Sequence, residues 1–178
     1  AILQRRERLT RTIADLEERY WSNEPIETLV LALTQTFDNI IAELWQQHFA
    51  KSDGCTLFAV GGYGRAELHP GSDIDILVLT HKSNPNREAV EAFLRDLFDL
   101  NVEVGHSVRD IKACVRECRS DITVATALFE RRFLCGDESL VAPLEKALAH
   151  PRIWPIKDFF VAKRDEQLAR HRHYDHVD

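Results

Sequence analysis

The stretch Phe58-Ala59-Val60-Gly61-Gly62-Tyr63-Gly64-Arg65-Ala66-Glu67-Leu68-His69-Pro70-Gly71-Ser72-Asp73-Ile74-Asp75-Ile76-Leu77 decides how the rest of the chain is read. Its first residues end an apolar, β-favouring run from Thr56 to Val60, and Gly61-Gly62-Tyr63-Gly64 closes that run. A second strand is predicted from Asp73 to Leu79. Side chains on a strand alternate faces, so Asp73 and Asp75 point one way while Ile74 and Ile76 point the other. Two like charges side by side repel, which a purely structural role rarely calls for. A divalent cation reverses the sign of that argument. Mg²⁺ seeks hard carboxylate oxygens, one or two from protein, with phosphate oxygens and water completing its shell. Gly61, Gly62 and Gly64 have no side chain to keep backbone amides away from a polyphosphate. A helix starting near Tyr63 would add its free amides, and Arg65 could donate to a phosphate oxygen. A glycine cluster alone is usually a turn, and an Asp-x-Asp alone a solvated strand end. Together, between two apolar strands, they read as a site for polyphosphate and metal.

Toward the N-terminus, Leu9, Ile13, Leu16 and Tyr20 recur at helical spacing, as do Ile26, Leu29, Val30, Leu33, Phe37, Ile40, Leu44 and Trp45. Pro25 suits a first turn, and Ser22-Asn23 a break and cap. Toward the C-terminus, Asn84-Pro85 is expected to open a helix with Val90, Phe93, Leu94, Leu97 and Phe98 inward. A third strand is expected at Val102 to Val108, then a short helix capped by Asp110 with Cys114 and Cys118 inward. Asp121 caps a further helix through Phe129, Gly136-Asp137 turns the chain, and Leu140, Leu144 and Leu148 continue the helical pattern. Pro151 and Pro155 precede a last helix from about Ile156 to Arg170. The fold class is therefore α+β, a small mixed sheet with helices on both sides. Its divisions are a helical segment at 1–52, an α/β core at 53–119 and a helical segment at 120–178.

The 178 residues are 44% hydrophobic and 29% charged, ordinary for a globular domain, with a net charge of −6. A duplex-binding protein usually carries a basic face, so the charge argues against nucleic acid as the main partner. No apolar run approaches a membrane span, and AILQRRERLT lacks a signal peptide's apolar stretch. Cys55, Cys114, Cys118 and Cys135 match no disulfide framework. Cys114 and Cys118 share a helix face but no second ligand pair follows, so buried free thiols in a reducing, cytoplasmic setting are expected. The basic, His-rich end (Lys163, Arg164, Arg170, His171, Arg172, His173, His176) reads as a solvated helix face running into a frayed terminus.

GGYGRAELHPGSDIDIL resembles the nucleotidyltransferase superfamily pattern of the DNA polymerase β type. More closely, it is similar to the signature of bacterial PII uridylyltransferase/uridylyl-removing enzymes. VEVGHSVRD at 102–110 and DITVATALFERRFLCGD at 121–137 also resemble that family, as does the closing QLARHRHY. The family usually has glycine where this chain has Ala66, a mild change if that residue is helical. No His-Asp dyad of the uridylyl-removing kind and no glutamine-sensing region is found, and the sequence has no Met. It is read as the transferase portion alone. The resemblance implies transfer of UMP from UTP to a tyrosine of the PII signal protein, releasing pyrophosphate, with Mg²⁺ or alternatively Mn²⁺. It assigns the metals to Asp73 and Asp75, and the triphosphate to Gly61, Gly62, Gly64, Arg65 and Ser72. It also implies a third carboxylate. Strand parity places Glu103 with Gly105 and Ser107, opposite Val102, Val104, His106 and Val108, so Glu103 is the choice over Asp110, a helix cap. Glu67 and His69 are taken as loop residues. A glutamine synthetase adenylyltransferase, a small-molecule nucleotidyltransferase and a catalytically silent nucleotide-binding module remain the alternatives.

Overall fold

The structure is a computed structural model that describes residues 2–49, 54–81, 86–149 and 153–174. Two long helices open the chain, α1 (Ile2–Trp21) and α2 (Ile26–His48). Asn23, in the left-handed region at φ 62°, turns the chain between them, and the Ser22 hydroxyl donates back to the Glu18 carbonyl. The Ser22-Asn23 pair thus ends α1 and does not cap α2, whose N-cap is Pro25.

Four strands follow, interleaved with helices: β1 (Cys55–Ala59), the single turn α3 (Gly61–Gly64), β2 (Ile74–Thr80), α4 (Arg87–Phe98), β3 (Val104–Arg109), α5 (Ile111–Ser120), α6 (Ile122–Phe129) and β4 (Arg132–Gly136). A 3₁₀ turn (Glu138–Leu140), α7 (Val141–Ala147) and α8 (Ile156–Tyr174) complete the described chain. The sheet order is β3-β2-β1-β4, with β2 and β3 parallel and β1 antiparallel to both its neighbours. The parallel pair requires a crossover, and α4 supplies it.

Side-chain oxygens start three of these helices. Asp110 accepts from the Ala113 amide at 2.7 Å, Asp121 from Thr123 at 2.7 Å, and Asn86 from Ala89 at 3.2 Å. The expected Asn84-Pro85 opening of α4 and Pro151 lie outside the described residues, as do the side chains of the His-rich end from Arg170 onward.

Two differences from the sequence reading matter. Arg132–Gly136 is a strand, so the sheet takes its fourth member from beyond residue 119. On β3, His106 and Val108 are exposed, because β3 is the sheet's edge. His106 meets Phe98 edge-on, with ring centroids 5.4 Å apart.

The sheet separates two apolar cores. On one side Leu57, Ile74, Ile76 and Val78 pack against α2 and α4 through Ile40, Ile41, Leu44, Phe93 and Leu97. Trp45 stacks on Phe49 at 3.8 Å and meets Phe93 edge-on at 5.2 Å. On the other side Phe58, Leu77 and Leu79 pack against Cys114, Cys118, Ala125, Leu128 and Leu144. All four cysteines are free, and burial pushes the Cys114 and Cys118 thiols up to about 12 and about 11.

Candidate active site

Asp75 is the second residue of β2, and its carbonyl accepts from the Val60 amide at 3.0 Å, which closes the glycine turn onto the strand. Because Ile74 and Ile76 face the α2–α4 core, Asp75 projects from the opposite face, as strand alternation requires. Two glycines flank its carboxylate. A Cβ at Gly61 would lie 3.6 Å from Asp75 Oδ2, and one at Gly105, its register partner on β3, would collide with Oδ1.

Asp73 lies exposed just ahead of β2, and its charge adds to burial in raising the Asp75 carboxyl above the ordinary aspartate range. Glu103 is exposed, one residue before β3, and its carbonyl accepts from the Ile74 amide at 2.9 Å. Hydrogen bonding to Asp73, followed by that residue's charge, raises the Glu103 carboxyl. The three carboxylates therefore adjoin in pairs, Asp75 with Asp73 and Asp73 with Glu103. Among the described residues no group of three or more His, Cys, Asp or Glu side chains forms a preassembled metal site. The donor chemistry nevertheless fits a hard divalent cation. The oxygens are crowded, no arginine or lysine among the described residues pairs with them, and Mg²⁺ ordinarily draws only one or two protein carboxylates.

The remaining predicted residues divide. Gly61 and Gly62 are half-buried at the start of α3, beginning at Gly61 and not near Tyr63, and at one turn this helix brings little dipole. Gly61 takes φ 58°. Gly64 is different: it is buried, and a Cβ there would collide with the Glu130 carbonyl oxygen, so its smallness serves packing. Arg65 is already engaged, donating from Nε to Glu67 at 2.7 Å and from Nη1 to Glu130 at 2.6 Å. Only Nη2 faces back toward Gly62, 3.8 Å from where a Cβ would stand. Ser72 closes an exposed turn, its Oγ accepting from the His69 amide at 3.2 Å. Glu67 and His69 are exposed loop residues, as expected.

Three residues that sequence reasoning passed over hold the glycine turn. Tyr63 is buried beneath it, and its hydroxyl donates to Asp38 of α2 at 2.7 Å. Arg132 of β4 clamps the same carboxylate at 2.7 and 3.1 Å and donates to the Tyr63 carbonyl at 3.2 Å. Burial, then the Asp38 charge, raises the Tyr63 phenol well above its ordinary range. The turn ends with Glu67 N donating to Gly62 O at 3.0 Å and Ala66 N to Tyr63 O at 3.1 Å. That paired pattern requires the residue after the last helical position to be left-handed, and Ala66 occupies it at φ 60°. Ala66 is therefore not helical, so its replacement of glycine is not a mild change.

A glycine turn, a paired-carboxylate strand and a third carboxylate at the neighbouring strand are now in place on one sheet. A family model described as a nucleotidyltransferase domain matches residues 38–134, more than half of the chain. The chain belongs to the nucleotidyltransferase domain family. Among curated relatives, this chain is 42% identical over 162 residues to a bifunctional uridylyltransferase/uridylyl-removing enzyme of Pseudomonas putida (strain GB-1), covering 89% of this chain and 18% of that one. It is 43% identical to the protein of the same name from Vibrio campbellii, with the same coverage, and 43% to that of Idiomarina loihiensis, covering 84% of this chain and 18% of that one. The chain thus spans about a fifth of the length of these relatives. Among solved structures, a toxin–antitoxin complex with AMP-PNP overlaps at TM-score 0.39 and 20% identity, over 79% of this chain and 97% of that chain. A tri-AMPylated Shewanella oneidensis HEPN toxin in complex with MNT antitoxin overlaps at TM-score 0.38 and 19% identity, over 81% and 98%. Overlaps this loose do not bear on function.

Proposed function

We propose that this nucleotidyltransferase moves UMP from UTP to a tyrosine of the PII signal protein. The observation that carries the reading is the Asp75 carboxylate seated between Gly61 and Gly105, next to the Asp73–Glu103 pair. In the proposed step the tyrosine oxygen bonds to the α-phosphorus, the bond from that phosphorus to the bridging oxygen breaks, and pyrophosphate leaves. Asp73 and Asp75, with Glu103 as the third oxygen donor, would hold Mg²⁺ or Mn²⁺, which when bound neutralises phosphate charge and favours the phenolate. An unperturbed tyrosine has a pKa of about 10, so a carboxylate that accepts its proton assists attack near neutrality. The backbone at Gly61 and Gly62 lies open to the triphosphate, and Arg65 Nη2 is the donor left on that side. No helix among the described residues is long and apolar enough to cross a membrane. A cytoplasmic site of action, with PII and UTP at hand, belongs to the same proposal.

The test incubates the 178-residue chain with α-labelled UTP or ATP, Mg²⁺, and either PII or glutamine synthetase. Label from UTP on PII, abolished when Asp73 and Asp75 are both changed to alanine with circular dichroism unchanged, is the expected result. Label from ATP on glutamine synthetase would overturn the assignment of both base and acceptor.

A further inference from the structure

At the end of β2 remote from Asp75 lies a groove of about 700 Å³, between α4, the end of β3 and the start of α5. Thr80 stands five residues beyond Asp75, so at about 3.3 Å per residue the groove is roughly 17 Å from the carboxylates. Its apolar lining is Val90 and Leu94 of α4 with Val108 of β3, which is 42% exposed. Around these stand four cations, Arg87, Arg109, Lys112 and Arg116, against two carboxylates, Glu91 and Asp110. The chain as a whole carries −6, so this excess of positive charge is local.

The two acids do not neutralise the four cations. Asp110 also caps α5, its Oδ1 accepting from the Ala113 amide, and counts as one of the two offsetting charges. Arg116 leans outward to Glu117 at 3.3 Å in an exposed pair. Arg87, Arg109 and Lys112 have no carboxylate within ion-pair distance among the described residues. Cations gathered beside an apolar surface repel one another more strongly than they would in open water, because the low-dielectric wall screens them less. Glu91 and Asp110 offset two of the four charges, and an excess of two cations remains in the groove. The excess of two cations and the apolar lining describe a ligand with an anionic head and an uncharged ring or hydrocarbon body. A groove of this volume falls within the range of small-molecule sites.

We propose that this groove binds a small organic phosphate, its phosphate held by Arg87, Arg109 and Lys112 and its uncharged part laid on Val90, Leu94 and Val108. The site is separate from the Asp73–Asp75 centre and stands independently of the transfer reaction. The two sites stand at opposite ends of β2.

The test titrates AMP and, separately, inorganic phosphate into the ¹⁵N-labelled chain in EDTA at fixed ionic strength. With no divalent cation, phosphate binding at Asp73 and Asp75 is suppressed. AMP is expected to shift the amide signals of Arg87–Val90 and Val108–Ala113 saturably, at least tenfold more tightly than inorganic phosphate. R109Q/K112Q should weaken AMP at least tenfold, and K112Q alone, at an exposed position, about threefold. Shifts reproduced by sodium chloride, or unchanged in K112Q, overturn the site. Equal affinities for AMP and inorganic phosphate overturn the role of the apolar lining. A glutamate-rich peptide that moves the same signals and resists competition by AMP would make the groove a protein-docking surface, which also overturns the proposal.

Discussion

Changing Gly105 to alanine isolates the position of one carboxylate. Gly105 does not take a left-handed φ, so its backbone accepts alanine, and the whole conflict lies between the new methyl group and Asp75. That methyl group would overlap Oδ1 and come within 3.3 Å of the Asp75 carboxyl carbon. Retreat toward Gly61 is limited, since Oδ2 already lies 3.6 Å from the Cβ position there. Asp75 must therefore rotate away or leave its rotamer. Overpacking of this kind costs about 1–3 kcal/mol, and replacing a strand glycine returns about 0.5–1 kcal/mol. The fold should lose no more than about 2.5 kcal/mol, a fall of at most roughly 5–10 °C in melting temperature. Activity should suffer more, because a displacement near 1 Å at a catalytic group costs about 10²-fold. The assay pairs thermal melts with kcat/KM for label transfer from UTP. A G105A protein that keeps its parent's kcat/KM within about threefold would refute the placement of Asp75 against β3.

Four further outcomes follow from the same structure. Ala66→Gly relieves a left-handed alanine worth about 1–2 kcal/mol, against about 0.4–1 kcal/mol of added unfolded-state entropy. Its urea midpoint should therefore rise, and a fall would contradict the φ of 60°. Asp38→Ala leaves Arg132 and the Tyr63 hydroxyl without their shared partner, and a loss of about 2–4 kcal/mol is expected by denaturant unfolding. Tyr63→Phe, which spares the Asp38–Arg132 pair, should cost only about 0.5–1.5 kcal/mol. Cys114 and Cys118, with thiols raised to about 12 and about 11, stay protonated at pH 8 and should resist iodoacetamide until denaturant is added. Rapid alkylation of the native protein would show that the second core is not closed.

Much of the site was legible because strand alternation is a local rule. It places Asp75 opposite Ile74 and Ile76 with no knowledge of the neighbours. The caps at Asp110 and Asp121 were legible for the same reason. What escaped depends on residues far apart in sequence. Arg132–Gly136 is half-buried at every position, shows no alternation, and becomes a strand only because β1 has a free edge to pair with. Gly105 looks like a weak strand residue until Asp75 is placed beside it. The left-handed Ala66 depends on how a single helical turn ends, and nothing in the residue itself announces that. Arg65 kept its sequence promise only in part, since Glu130, 65 residues away, takes one of its donors.

The β2 strand lies between two paired neighbours and forms a wall of both apolar cores. Any fluctuation that frees it must break two ladders and open both faces at once, so it amounts to unfolding the domain. Amide exchange at Ile76 to Leu79 should then proceed only by global opening, while the exposed 69–72 turn exchanges early. Asp75 lies within this strand, whereas Asp73 and the Ser72 turn lie exposed ahead of it. The two aspartates of the centre thus meet across the start of β2, Asp75 held inside the ladder and Asp73 just outside it.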